Sequence, residues 1–305
     1  MIPALRVSLS AETSGLLYGL LGVVAFSITL PATRFAVASL DPVVVGLGRA
    51  LVAAVCAAIL LAIRRQRLPR RHEFGSLLII AAGVVLGFPL LSAWALREVP
   101  AAHGAVIIGL LPLATAVVGA IRGGERPSWL FWLAAVGGSS AVVTFAAITG
   151  GGGLHLADLA LLGAVVVGAI GYAEGARLAR TMGGWQVICW ALVIAAPFLS
   201  IPVGIAIWQH GLAAPPHAWI AFAYVSLISQ WLGFFAWYHG LALGGITRVS
   251  QIQLLQPFLT LVAAATLLGE HLSNQALVFA AIVVAMVALG RRAPVGRTTP
   301  AAARP

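Results

Sequence analysis

One apolar run late in the chain carries Ser250, Gln251, Gln253, Gln256 and Thr260. Gln253, Gln256 and Thr260 recur at i, i+3 and i+7, so a helix sets them on one face. An unpaired amide in hydrocarbon is costly, so that face must point inward, to neighbouring helices or to a polar solute. Gln251 lies on another face and reads as a tie between helices. The preceding run is aromatic: Tyr224, Trp231, Phe235 and Tyr238 recur at helical spacing beside Ser229, Gln230 and His239. Trp129, Trp132, Trp185, Trp208 and Trp219 fit the usual place of tryptophan at membrane interfaces. Trp231 sits near mid-run instead, which suits a cavity wall that stacks on a flat or apolar group. Trp94 and Tyr172 are candidates to join it, and plain packing is an equal reading for each of these aromatics.

Ionisable groups inside apolar runs are functional candidates by default. Arg49 stands about two turns into its run, where its long stem could snorkel outward in a structural role. His103 and His239 lie near the ends of theirs, and an imidazole titrates near neutrality, though a lone histidine more often bonds a packing neighbour. Glu174 lies deep in its run and is placed to pair with Arg177. His103, His239 and Glu174 are therefore the candidate titratable groups. Cys56 and Cys189 each lie alone in apolar surroundings and read as small buried hydrophobes. Neither a metal site nor a cofactor site is expected.

The elements that must position these residues follow from composition. Of 305 residues 61% are apolar and 9% charged, against about 25% charged in a soluble domain, and the mean hydropathy is +1.03. The chain reads as an all-α integral membrane protein. At about 20 residues per crossing it divides into ten spans, near 15–38, 41–63, 75–96, 100–122, 128–149, 157–179, 185–208, 217–242, 246–268 and 274–290. The breaks fall at Asp41-Pro42, Pro69, Val99-Pro100, Gly150–Gly153 and Pro215-Pro216. Residues 1–14, with Arg6 and Glu12, lack the form of a cleavable signal, so the first run reads as a retained span. Residues 296–305, rich in Ala, Pro and Arg, are expected to be disordered.

The net charge of +10 comes from eighteen basic residues, all arginine. With both termini cytoplasmic, every arginine except Arg34, Arg49 and Arg97 falls on the cytoplasmic side, as the positive-inside rule requires. The charge reports topology, and no nucleic-acid partner is expected.

The chain repeats itself at an offset of 145 residues. Leu110-Leu111-Pro112 matches Leu255-Gln256-Pro257, Gly124-Glu125 matches Gly269-Glu270, and Ser128 matches Ser273. Two halves, 1–150 and 151–295, would then hold five spans each, and an odd number inverts one half relative to the other. Inverted repeats characterise secondary transporters, with the substrate site at midplane between them. Of the prolines within spans (Pro31, Pro89, Pro112, Pro197, Pro202 and Pro257), the repeat-matched pair Pro112 and Pro257 reads as hinges lining a central cavity.

These motifs resemble the EamA-type drug/metabolite transporter superfamily. The second half fits through Leu254-Leu255-Gln256-Pro257 and Leu267-Leu268-Gly269-Glu270-His271-Leu272-Ser273; the first departs in having Gly123 before Gly124-Glu125. Pro42 and Arg49 also match the family. The aromatic eighth span, with Trp231, Trp237 and Tyr238, is most similar to the bacterial aromatic amino-acid exporters. That resemblance implies a bacterial inner-membrane exporter tolerant of apolar amino acids. The first span lacks the carboxylate on which small multidrug pumps of the superfamily rely. The absence of lysine and of a midplane arginine cluster argues against sugar-phosphate cargo. A neutral or zwitterionic substrate remains, with helix breaks supplying dipoles for a carboxylate. The expected substrate contacts are Trp231, Gln256, Gln253, Tyr238, Tyr172, Trp94, Tyr224 and His239. Besides membrane lipid, an amino acid is the expected partner, and one chain holding both halves is expected to act as a monomer. A multidrug or other small-metabolite exporter of the same fold is the alternative. No HExxH, GxSxG or paired intramembrane Asp points to an enzyme, and no ring of acids or carbonyl filter to a channel.

Overall fold

A computed structural model of the chain describes residues 11–123, 125–149, 155–244, 249–292 and 295–297. Arg6, Gly124, the Gly150–Gly153 run, Arg248 and residues 298–305 lie outside the described residues. The chain is almost wholly helical, in α1 (Thr13–Val37), α2 (Val44–Ile63), α3 (Arg71–Glu98) and α4 (Ala101–Gly119), then α5 (Trp129–Thr149), α6 (Leu156–Met182), α7 (Gly184–His210), α8 (Pro216–Gly244), α9 (Gln256–Leu268) and α10 (Asn274–Arg292). Among the described residues seven of these, α1 to α4 and α6 to α8, are long and apolar enough to cross a membrane. The departure from helix is a short antiparallel pairing of Glu125–Pro127 with Val295–Arg297. There Gly296 and Arg297 find main-chain partners beside the start of α5, and the fold is otherwise the expected all-helical one.

The sidedness is that of a protein solvated by hydrocarbon. Leu21, Val55, Ile63, Phe198 and Ile201 are exposed, while Thr29, Thr33, Arg49, Ser226, Ser229, Gln230, Gln253 and Thr260 are buried. With no water to bond, polar side chains and backbone groups must find partners inside the protein.

Helix interruptions sit where proline or the repeat predicts them. α1 breaks at Ile28, one turn before Pro31, whose missing N–H leaves the Ser27 carbonyl without its helical donor. α4 is split into Ala101–Ile108 and Leu111–Gly123, with Pro112 just past the break. α9 is preceded by a 3₁₀ stretch, Ser250–Leu255, that passes into α-helix at Gln256-Pro257. α3 and α8 widen into π-helix over Ala81–Gly87 and Tyr224–Leu232. The offset of 145 carries the first π-segment onto the second. π-Segments are rare and frequently mark functional sites.

Close backbone contact locks α1 to α8. A Cβ on Gly15 would lie 2.5 Å from the Gly244 nitrogen, and one on Gly240 would lie 2.7 Å from the Gly19 nitrogen. The helices therefore run antiparallel with their backbones touching, as small residues permit in membranes. Gly240→Ala is expected to force them apart and cost about 1–3 kcal/mol, seen as a lowered Tm in detergent. Gly204→Ala, which meets nothing within 4 Å, should leave Tm unchanged or raise it.

Candidate functional site: a cavity between the halves

A central cavity is lined by Phe26, Thr29, Leu30, Arg49, Val84, Phe88 and Ile108 from the first half and by Tyr172, Ser229, Gln230, Phe234 and Gln256 from the second. A second, adjoining cavity shares Leu30, Ile108 and Gln256 with it and adds Gly109, Pro112, Gln253, Pro257 and Thr260. The polar face of α9 thus points inward, and the two repeat-matched prolines line one space.

Local chemistry explains why these side chains gather. In the i→i+5 register of the α3 π-segment, the donor to the Val84 carbonyl would be residue 89, which is proline. Gln230 Nε2, from the other π-segment, donates to that carbonyl at 3.4 Å. The Thr29 and Ser229 hydroxyls bond each other at 2.8 Å, joining α1 to α8. Phe26, Tyr172 and Phe234 form an aromatic wall, with Tyr172 stacked on Phe26 at 6.4 Å and edge-on to Phe234 at 5.8 Å.

Arg49 also lines this cavity, and it is only 2% exposed. Its Nε and Nη1 are buried without a hydrogen-bond partner among the described residues. An uncompensated buried charge costs several kcal/mol. The snorkelling reading is corrected: this side chain turns inward, because a short path to the protein's own cavity is open to it. Gln253 Nε2 and Oε1 are likewise buried and unpartnered.

The other expected contacts are scattered. Trp231 is half-buried, donates to Cys189 Sγ at 3.3 Å and packs edge-on to Phe235. Tyr238 is fully buried, with its hydroxyl donating to the Gly171 carbonyl at 3.4 Å. Tyr224 donates to the Ala25 carbonyl at 2.9 Å. Trp94 is exposed, and His239 is exposed and edge-on to Tyr18. None of these five lines the central cavity. Period and residue type marked α8 as aromatic, but widening to π-helix rotates its faces and puts Phe234 and Gln230, not Trp231, on the cavity side. Arg49 was legible as a charge within a span; Phe26 and Phe234 carried no signal beyond hydrophobicity.

Ionic groups close the ends. Glu174 is buried and accepts from Arg177 at 2.5 Å, and Arg177 also donates to Ser76 Oγ at 2.9 Å. At the opposite end His103 Nε2 lies 2.6 Å from Asp158 Oδ1, beside an outer cavity of about 710 Å³ that Glu270 and His271 also line. There Arg34 donates to the Leu96 and Arg97 carbonyls at the end of α3. Glu270 accepts from the Ala101 and Ala102 N–H groups at the start of α4, 2.9 Å each. Gly269 explains the Gly-Glu motif: its φ of +65° ends α9 in a left-handed turn, which a residue with a Cβ resists, and the turn aims Glu270 at α4. Glu270→Gln removes the charge from a helix N-terminus and should cost about 1–2 kcal/mol, read as a lower Tm in detergent. Exposed Glu98→Gln should change little.

The sequence pattern of the EamA-like transporter family matches this chain twice, over residues 13–146 and 155–290. The uncharacterized transporter YdeK of Bacillus subtilis is 47% identical over 93% of this chain and 99% of its own length. A probable terminal-alkyne amino-acid exporter of Streptantibioticus cattleyicolor is 29% identical over 91% of this chain and 93% of its own. A solved crystal structure matches with a TM-score of 0.65 at 18% identity, covering 91% of this chain and 96% of that one, and shares the fold. With its multi-pass helices and two matched repeats, the chain belongs to the EamA-like transporter family.

Proposed function

We propose that this protein exports amino acids with aromatic or other neutral, apolar side chains across the bacterial inner membrane. It works by alternating access, through the cavity between two inverted halves of five crossings each, residues 1–150 and 151–295. The carrying observation is the composition of that cavity. Both halves line it, with four aromatic rings for an apolar side chain and with hydroxyls, two amides and a guanidinium for a polar head. The likeness to an amino-acid exporter supports the same substrate class. With both termini cytoplasmic, the arginine-rich α2–α3 connection faces the cytoplasm and Arg34 and Arg97 face outward. The breaks near Pro112 and Pro257 serve as hinges, and Glu270 together with its repeat mate Glu125 marks the two ends that open in turn. No catalytic step is assigned, and a single chain contains the whole pathway.

The test is exchange in proteoliposomes preloaded with unlabelled amino acid, offering labelled tryptophan, phenylalanine, threonine or lysine. Tryptophan and phenylalanine should exchange fastest and lysine not at all. Absence of exchange with every amino acid, in vesicles holding folded protein, would contradict the assignment and favour export of drugs or other metabolites. Tyr172→Ala and Gln256→Ala should each lower phenylalanine exchange about tenfold, while exposed Phe198→Ala should leave it unchanged.

A further inference from the structure

The cavity's chemistry is unbalanced in one direction. Its lining contains one full charge, the Arg49 guanidinium, and no carboxylate among the described residues. Arg49 is almost completely buried, and two of its nitrogens lack partners among the described residues. The neighbouring polar groups are already committed in part: Thr29 and Ser229 to each other, and Gln230 to the Val84 carbonyl. The hydroxyl pair and the Gln230 side chain still leave acceptor capacity, since a hydroxyl oxygen and an amide oxygen each accept further bonds. An anion entering this space would meet a buried forked donor, and a guanidinium matches a carboxylate bidentately.

We infer that Arg49 is the anchor for the substrate's carboxylate, and that it makes the cavity select carboxylate-bearing solutes over their amides and amines. This inference rests on the proposed amino-acid export and specifies which end of the amino acid the cavity reads. The carboxylate occupies the space beside Arg49, and the apolar side chain lies against Phe26, Tyr172 and Phe234. The α-ammonium faces the hydroxyl pair and the Gln256 amide. The guanidinium is then paired only when a carboxylate is bound, and a cation without one is rejected by like charge.

The experiment measures thermal stabilisation of the detergent-solubilised full chain by L-phenylalanine, 3-phenylpropanoate, phenylalaninamide and phenethylamine, for wild type, Arg49→Lys and Arg49→Gln. Wild type should be stabilised by the two carboxylates and not by the amide or the amine. In Arg49→Gln the half-saturating concentration for both carboxylates should rise at least about tenfold, the loss of a charged bidentate contact. The preference over the amide should disappear with it. Arg49→Lys keeps the charge and loses the fork, so it should weaken carboxylate binding less while retaining the preference. It also decides the question if Arg49→Gln does not fold. Stabilisation of wild type by the amide or amine as strongly as by phenylalanine would overturn the inference. So would a folded Arg49→Gln or Arg49→Lys protein with unaltered binding. Exchange of phenylalanine by an Arg49→Gln protein that still rejects phenylalaninamide would sink the anchor and leave amino-acid export standing. Stabilisation by 3-phenylpropanoate through Arg49, without exchange of any amino acid, would support the anchor and remove the amino-acid reading.

Discussion

A helix that interrupts its own hydrogen-bond ladder inside hydrocarbon must hand the freed groups to another part of the protein. In this chain that requirement decides where the cavity lies. Pro31, Pro89, Pro112 and Pro257 each withdraw an N–H from a helix. The resulting breaks in α1, α3, α4 and at the start of α9 all border the two central cavities or lie one turn from them. Gln230 shows the compensation directly, since it bonds the Val84 carbonyl that Pro89 cannot serve in the π register. Polar side chains are therefore drawn to the places where the backbone is irregular, and a chemically varied space forms between the halves.

Around that space the packing is tight and geometric. Gly15, Gly19, Gly240 and Gly244 bring α1 and α8 into backbone contact, which sets how closely Phe26 and Thr29 approach Phe234 and Ser229. The ends are held by charge on helix termini. Arg34 sits on the carbonyls closing α3, and Glu270 on the N–H groups opening α4. These contacts hold the tip of the α3–α4 hairpin from both sides, yet each is a few hydrogen bonds rather than a packed core.

Much of the fold was legible because its determinants are local. Apolar runs, their proline and glycine punctuation, and the register of Pro112 with Pro257 and of Gly124-Glu125 with Gly269-Glu270 gave the spans and the repeat. The α9 face of Gln253, Gln256 and Thr260 could be read from spacing alone. The site was less legible because it depends on rotation and depth. A π-segment of several residues shifts the faces of α8, and this moved the cavity side from Trp231 to Phe234 and Gln230. Arg49 was visible as an arginine within a span, but whether it turns to the surface or to the interior depends on α2's neighbours, which spacing does not encode. Trp94 and Tyr224 show the converse, aromatic residues whose places in the packing only the assembled helices define.

The central claim is that the space between the halves receives an amino acid. The most direct measurement is a crystal structure of the protein grown with 4-bromophenylalanine, in which bromine is located by its anomalous signal. The account predicts one bromine peak against Phe26, Tyr172 and Phe234, with the carboxylate toward Arg49. A peak in the outer cavity beside His103 and Glu270, or on the lipid-facing surface, with the central cavity empty, would contradict it.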